Sequence, residues 1–311
     1  MSKATASSAV ERCRSAALDT VWSQWQVLGG RVGGRARTPR AIVDPEALLL
    51  FSCALREDEP RLWDLVGGLL EQAPSLLSVQ RTKNLAARYP QHARDALAEA
   101  AAIAVARGSD ARWRPLAGCV RPRPHRAGKV HQPAARLGHP AALMLRLRVA
   151  FGVHVRSDAL AFLLASAPVA ATARETAAAT GYGPAPVRRA LEAMTAARII
   201  VGDGARPARH HADVGRWSPF LGNAGLPPWR HWHAVFAFLA AALPPASAPK
   251  VAEQSPYLRS SDLRHLVLEH RAAFALNRVA IPEPADFPGE AFLEGFESTL
   301  DALAKWLAES V

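Results

Sequence analysis

RSDALAFLLASAPVAATARETAAATGYGPAPVRRALEAMTAARIIVGDGARPARHHADV, residues 156–214, carries the signals that decide the fold. Ser157 or Asp158 is placed to cap a first helix, and Ala159, Leu160, Phe162, Leu163 and Leu164 supply its apolar face before Ser166, Ala167 and Pro168 end it. Thr172 stands three residues ahead of Glu175, so hydroxyl and carboxylate can satisfy each other's backbone N–H as a capping box, and a second helix runs on to Thr180. Gly181 stops it, and Gly181, Tyr182 and Gly183 make a turn tolerant of positive φ. Pro184 or Pro186 then falls in the first turn of a third helix, where a missing N–H costs nothing.

In that third helix Val187, Leu191 and Met194 recur at intervals of four and three and face inward, which turns Arg188, Arg189 and Glu192 toward solvent. Ile199, Ile200 and Val201 have strand propensity, Gly202, Asp203 and Gly204 signal a turn, and Arg209 to Val214 can return as a partner strand. Arg206 and Arg209 are expected at the tip of this hairpin.

The succession of capped helix, capping box, glycine turn, basic helix and hairpin over residues 145–217 resembles the winged helix-turn-helix of bacterial transcriptional regulators, the broad ArsR and MarR-like groups. The resemblance implies a mainly α fold with a small β-hairpin wing. It also implies a protein that binds double-stranded DNA as a homodimer meeting two half-sites by two-fold symmetry. The DNA-facing set it points to is Arg174, Tyr182, Pro186, Arg188, Arg189, Glu192, Arg206 and Arg209. The two arginines at the leading end of the third helix suit guanine edges or phosphates, and Arg206 and Arg209 suit phosphate or the minor groove. No cysteine lies beyond Cys119, so metal sensing does not follow from the resemblance. Winged helices also serve as protein-docking platforms, and a partner encoded beside this chain, such as a toxin or enzyme, is the alternative.

Charge supports a polyanionic partner. The chain carries a formal net charge of +11, and its balance is uneven. Residues 107–148 hold ten Lys or Arg against the single acid Asp110, whereas residues 251–311 hold ten Asp or Glu against five bases. The content is 50% hydrophobic and 21% charged over 311 residues, enough to bury substantial cores. Five segments are expected. Residues 1–43 hold an N-terminal helix near Ala9 to Leu28 and a flexible basic arm from Gly29 to Arg40. Residues 44–107 form a helical bundle, with Asp44 as a cap and Pro45 at the first helical position. Residues 108–139 are a Pro and Arg-rich linker, 140–217 the winged module, and 218–311 an acidic helical region for docking or dimerisation.

Arg81, Lys83 and Arg88 offer a second basic surface on the bundle, and Arg146 and Arg148 are placed to cross a nucleic-acid backbone. Trp217, Trp229 and Trp232 suit a core, a ligand pocket or a dimer seam, and Phe292, Phe296, Leu300, Leu303 and Leu307 line one face of a last helix. His125, His131 and His139, like the pairs His210, His211 and His231, His233, lack the spacing of a metal site, so neither metal nor cofactor is expected. Neither a phosphate-cradling loop, nor a Gly-x-Ser-x-Gly elbow, nor a His-Glu-x-x-His helix occurs, and no catalytic residues or enzyme activity are read from the chain. The longest apolar runs, Ala47 to Leu55 and Ala234 to Leu243, are short of a membrane span. With no secretory signal and three scattered cysteines, the expected location is the cytoplasm.

Overall fold

A computed structural model describes residues 3–30, 38–123, 137–222, 225–243 and 255–311. The expected basic arm lies mostly at 31–37, outside the described residues, as do His125 and His131. The chain is mainly helical with one small antiparallel sheet. In order come α1 (Lys3–Val27), α2 (Pro45–Ala54), α3 (Pro60–Gln72), α4 (Val79–Ala86), α5 (Gln91–Ala106), α6 (Arg114–Ala117), α7 (Leu143–Phe151) and α8 (Val155–Ala165). Then follow β1 (Ala171–Thr172), α9 (Ala173–Thr180), α10 (Pro184–Ala196), β2 (Val201–Gly202), β3 (Arg209–His211), α11 (Val214–Leu221), α12 (Trp232–Ala242), α13 (Pro256–Glu269), α14 (Arg271–Asn277) and α15 (Phe292–Glu309).

Two hydrophobic cores organise these elements. The larger is built around α2, which is buried at every position from Pro45 to Ala54. A helix apolar on all sides has to be wrapped, and segments from both ends of the chain wrap it. Phe51 stacks on Phe236 of α12 at 4.7 Å between ring centroids, and the Trp232 indole donates to the Ile42 carbonyl at 2.9 Å. In α1, Ala9, Cys13, Ala17, Val21 and Trp25 recur every four residues and pack with α15, whose Phe292, Phe296, Leu300, Leu303 and Leu307 are all buried in the same core. Arg12 and Asp301 clamp the pair from outside at 2.7 Å.

This corrects the division of the chain by composition. Residues 1–43, 44–107 and 218–311 are not separate units, because their apolar stripes close on one another. The C-terminal stripe completes a core and does not stand free for docking or dimerisation. The linker expectation also changes in its described part: Trp113 is fully buried ahead of α6 and packs in the larger core with α5. Cys13 and Cys53 are buried as well, and burial pushes both thiols up to about 12, so they pack as small apolar groups.

The second core gathers Leu143, Met144 and Leu147 of α7, Leu160, Leu163 and Leu164 of α8, and Val187, Leu191 and Met194 of α10, with Ile200 and Ala212 from the hairpin. The inward set of α10 is the one its spacing predicts. The start of α8 differs from expectation: His154 caps it, its Nδ1 accepting from the Ser157 N–H at 3.4 Å, while Asp158 turns inward. The three short strands pair antiparallel in the order β1, β3, β2, with Ala171 opposite His210 and Val201 opposite His211.

Candidate nucleic-acid interface

The capping box is formed as its spacing requires. Thr172 Oγ1 accepts from the Glu175 N–H at 3.2 Å, and Glu175 Oε2 accepts from the Thr172 N–H at 2.7 Å. That backbone donor holds the Glu175 carboxyl below its ordinary pKa. Gly181 ends α9 with φ +73°, and a Cβ there would lie 2.6 Å from Leu85 Cδ2 of α4, so both backbone and neighbour demand glycine. Pro184 opens α10 three residues later.

On α10, Arg188, Arg189 and Glu192 are exposed, with Arg188 and Glu192 3.9 Å apart across one helical turn. An exposed pair of that kind is worth a few tenths of a kcal/mol and leaves Arg188 free to exchange partners. Pro186 is half-buried beside them. In the hairpin, Asp203 Oδ1 accepts from the N–H groups of Ala205 and Arg209 at 2.9 and 3.0 Å, which closes the turn and lowers the Asp203 pKa. Arg206 is exposed at the tip. Arg209 is not at the tip: it opens β3, donates to the Ala170 carbonyl at 2.8 Å and lies 3.5 Å from Glu175. Arg174 is exposed on α9.

Three expectations fail on burial. Tyr182 does not face solvent. Its ring is buried and its hydroxyl donates to Asp158 at 2.9 Å and accepts from the Ser78 hydroxyl at 3.1 Å, so it holds the turn from behind. Arg148 does not cross a backbone, because its side chain is fully buried; Arg146 donates to the Phe220 carbonyl and lies over the Phe220 ring. Arg81 leaves the expected basic face of α4 for the interior, while Lys83 and Arg88 remain exposed.

Arg81 and Arg148 are the cations of a buried ionic cluster that joins the two cores. Arg81 forks onto Asp44 with both distances 2.6 Å and reaches Glu46 at 2.5 Å. Arg148 forks onto Asp158 with both distances 2.7 Å and onto Glu46 at 2.6 and 3.0 Å. Glu46 therefore bridges the two guanidiniums and also accepts from the Ser78 N–H at 2.7 Å. Burial alone would raise the Asp44 pKa, but the Arg81 charge and hydrogen bonds hold it down to about 2; the carboxylates in turn lift both arginines above their ordinary value against the effect of burial.

Arg81 Nε also donates to the Thr180 carbonyl at 2.5 Å, and Asn84 Nδ2 to the Gly181 carbonyl at 3.2 Å. The bundle thus grips the turn between α9 and α10 directly. Asn84 on the wet side of α4 and Arg88 just past its end join Arg174, Gly183 and Pro184 around a shallow hollow. Sequence reasoning separated these groups, and only the exposed polar spacing of α4 hinted at them. No metal-holding cluster of His, Cys, Asp or Glu occurs among the described residues, and no helix there is long and apolar enough to cross a membrane.

No family model, curated protein or solved structure matches the chain.

Proposed function

We propose that residues 155–211 are a winged helix-turn-helix that binds double-stranded DNA, and that the protein is a sequence-specific transcriptional regulator acting as a homodimer. One observation carries the reading: the order helix, short strand, helix, glycine turn, helix, hairpin, with β3 paired between β1 and β2, while the third helix turns two arginines to solvent. In this reading α10 enters the major groove with Arg188 and Arg189 leading. Arg206 braces the hairpin on phosphate, and Arg88, just past the end of α4, extends the positive surface beside the leading end.

The test is fluorescence anisotropy of the protein on DNA from upstream of its own gene against a scrambled duplex, at low and physiological salt. A preference of about a thousandfold that persists in salt is expected. Arg188→Glu with Arg189→Glu abolishes that preference, and Arg206→Ala lowers the salt slope by about one. The reading is overturned if the double variant keeps its affinity, or if both duplexes bind equally and lose binding in salt. Either outcome transfers the module to the protein-docking alternative.

A further inference from the structure

A cleft of about 660 Å³ opens between the α8–β1–α9 side of the second core and the chain around residues 228–231 and 276–278. Its volume falls within the range of small-molecule sites. Phe162, Val169, Trp229 and Leu276 give it an apolar wall, in which Phe162 and Trp229 meet edge to face at 5.5 Å. Arg174, Arg209, Arg230 and Arg278 give it a cationic wall, opposed by Glu175 alone among the ionisable groups of constant charge that line it. Glu175 is engaged by the Thr172 N–H. Among the described residues, Arg174, Arg230 and Arg278 have no carboxylate within ion-pair distance. Arg230 lies over the Trp306 ring at 5.0 Å, and Glu309 acts on it only from farther away.

Three successive residues on that wall hold polar atoms that are buried and lack a partner among the described residues: Trp229 Nε1, Arg230 Nε and His231 Nδ1. Two of these can only donate. Native proteins rarely leave buried donors unmatched, and a run of them on a cavity wall can be satisfied by an acceptor that enters the cavity. The wall is also built to hold its shape. Asn277 Oδ1 accepts from the His231 N–H at 2.9 Å while its Nδ2 donates to the Ala273 carbonyl at 2.8 Å, which fixes the corner where Arg278 takes a left-handed φ of +54°. Arg278 is the left-handed C-cap of α14, and its N–H bonds back to the Ala275 carbonyl at 3.2 Å, so its place on the wall is set by the helix end.

We infer that this cleft binds a small organic anion, a carboxylate or phosphate ester with an apolar body, whose charged oxygens take the arginines and orphaned donors while its body lies against Phe162 and Trp229. The anion offsets the uncompensated positive charge, and the apolar wall separates such a ligand from a simple inorganic ion. The inference is independent of the DNA-binding proposal, because the site is complete without nucleic acid.

The test uses the whole protein labelled with ¹⁵N and follows the indole N–H signals of its eight tryptophans, with Trp229→Phe assigning one of them. Phenylphosphate and benzoate are titrated in, with benzyl alcohol and inorganic phosphate as controls and no DNA present. Both organic anions are expected to move the Trp229 signal saturably. Arg230→Gln and Arg278→Asn, the latter keeping a residue at ease with positive φ, each weaken binding about tenfold while the unliganded spectrum stays folded. Three results overturn the inference: no saturable shift up to about 10 mM of either anion; benzyl alcohol or inorganic phosphate binding as tightly as phenylphosphate, the latter marking an adventitious ion only; or both variants binding as the parent does.

Discussion

Arg148→Met removes one cation and its hydrogen bonds from the buried cluster and keeps most of the side-chain volume, so its effect is that of lost charge and donors rather than of a cavity. In the parent, two guanidiniums face three carboxylates, and the side chains of Arg81, Glu46, Arg148 and Asp158 have no exposed surface. The substitution leaves Arg81 alone against Asp44, Glu46 and Asp158. Asp158 then keeps only the Tyr182 hydroxyl of its charged and hydrogen-bonded partners here, and the Leu76 carbonyl loses its 3.0 Å donor. Leaving a buried charge without its partner costs about 3–5 kcal/mol, a large part of the roughly 5–15 kcal/mol that holds a typical protein folded.

Glu46→Gln is the counter-experiment. It removes one anion from the side that is in excess and leaves two cations against two carboxylates; the amide oxygen still accepts from the Ser78 N–H, but the amide nitrogen faces Arg81 Nη1 and Arg148 Nη2 and cannot accept from either. Its cost is expected at about 1–3 kcal/mol, the scale of unmatched donors on guanidiniums that keep other carboxylates, and below that of Arg148→Met. Urea unfolding followed by circular dichroism measures both. The double variant Arg148→Met, Asp158→Asn is expected to recover at least about 1 kcal/mol relative to Arg148→Met, since the second change removes the unpaired anion. A loss under about 1 kcal/mol for Arg148→Met, or a larger loss for Glu46→Gln, would refute the account of the cluster as a dry, charge-coupled joint.

Two other perturbations bear on the same region. Gly181→Ala combines a left-handed φ with a Cβ 2.6 Å from Leu85, so a loss of about 1–3 kcal/mol is expected in the same urea experiment, whereas an unchanged midpoint would mean the turn is not moulded on α4. Acid should destabilise the fold early, because burial pulls His231 down to about 4 and His233 to about 3, so the unfolded chain takes up protons below about 6.5 that the folded chain refuses. Each histidine then removes up to about 1.4 kcal/mol per pH unit, and Asp44, held down to about 2, adds its own loss only below about 3.9. The urea midpoint is expected to be flat from pH 8 to 7 and to fall by pH 5, with a shallower fall in His233→Gln; equal midpoints at pH 7 and pH 5 would contradict this.

What could be read from the chain was local. The apolar spacing of α10, the Thr172 to Glu175 box and the arrest at Gly181 depend on residues within one or two turns of each other, and each is present as its pattern requires. What could not be read was long-range pairing. Arg148 stands 102 positions from Glu46, and nothing near either names the other. A signal existed in the surroundings: Glu46 opens a helix that has no wet side, and Arg148 sits in the apolar run Leu143 to Val149. A charge with no solvent to turn to must find a buried partner, whereas Arg188 and Arg189, on a helix with a clear polar side, need none. The same limit explains the C-terminal stripe, since amphipathic spacing shows that a face must be covered but not whether its cover is another chain or, as here, α1.

The position of the cluster bears on how the proposed DNA module is held. Arg81 places a cation on the last carbonyl of α9, where the helix dipole is negative, and Tyr182 ties the next turn to Ser78 of the bundle and Asp158 of α8. The start of α10 is therefore set from both cores, and its direction is not free to vary with a flexible joint. In that proposal a DNA duplex reaching Arg188 and Arg189 passes near Arg88, because Arg88 and Asn84 share a hollow with Gly183 and Pro184 at the start of α10, and Asn84 bonds the Gly181 carbonyl. If the module binds DNA as proposed, the bundle is expected to share in its footprint, by orienting the reading helix and by placing Arg88 beside it.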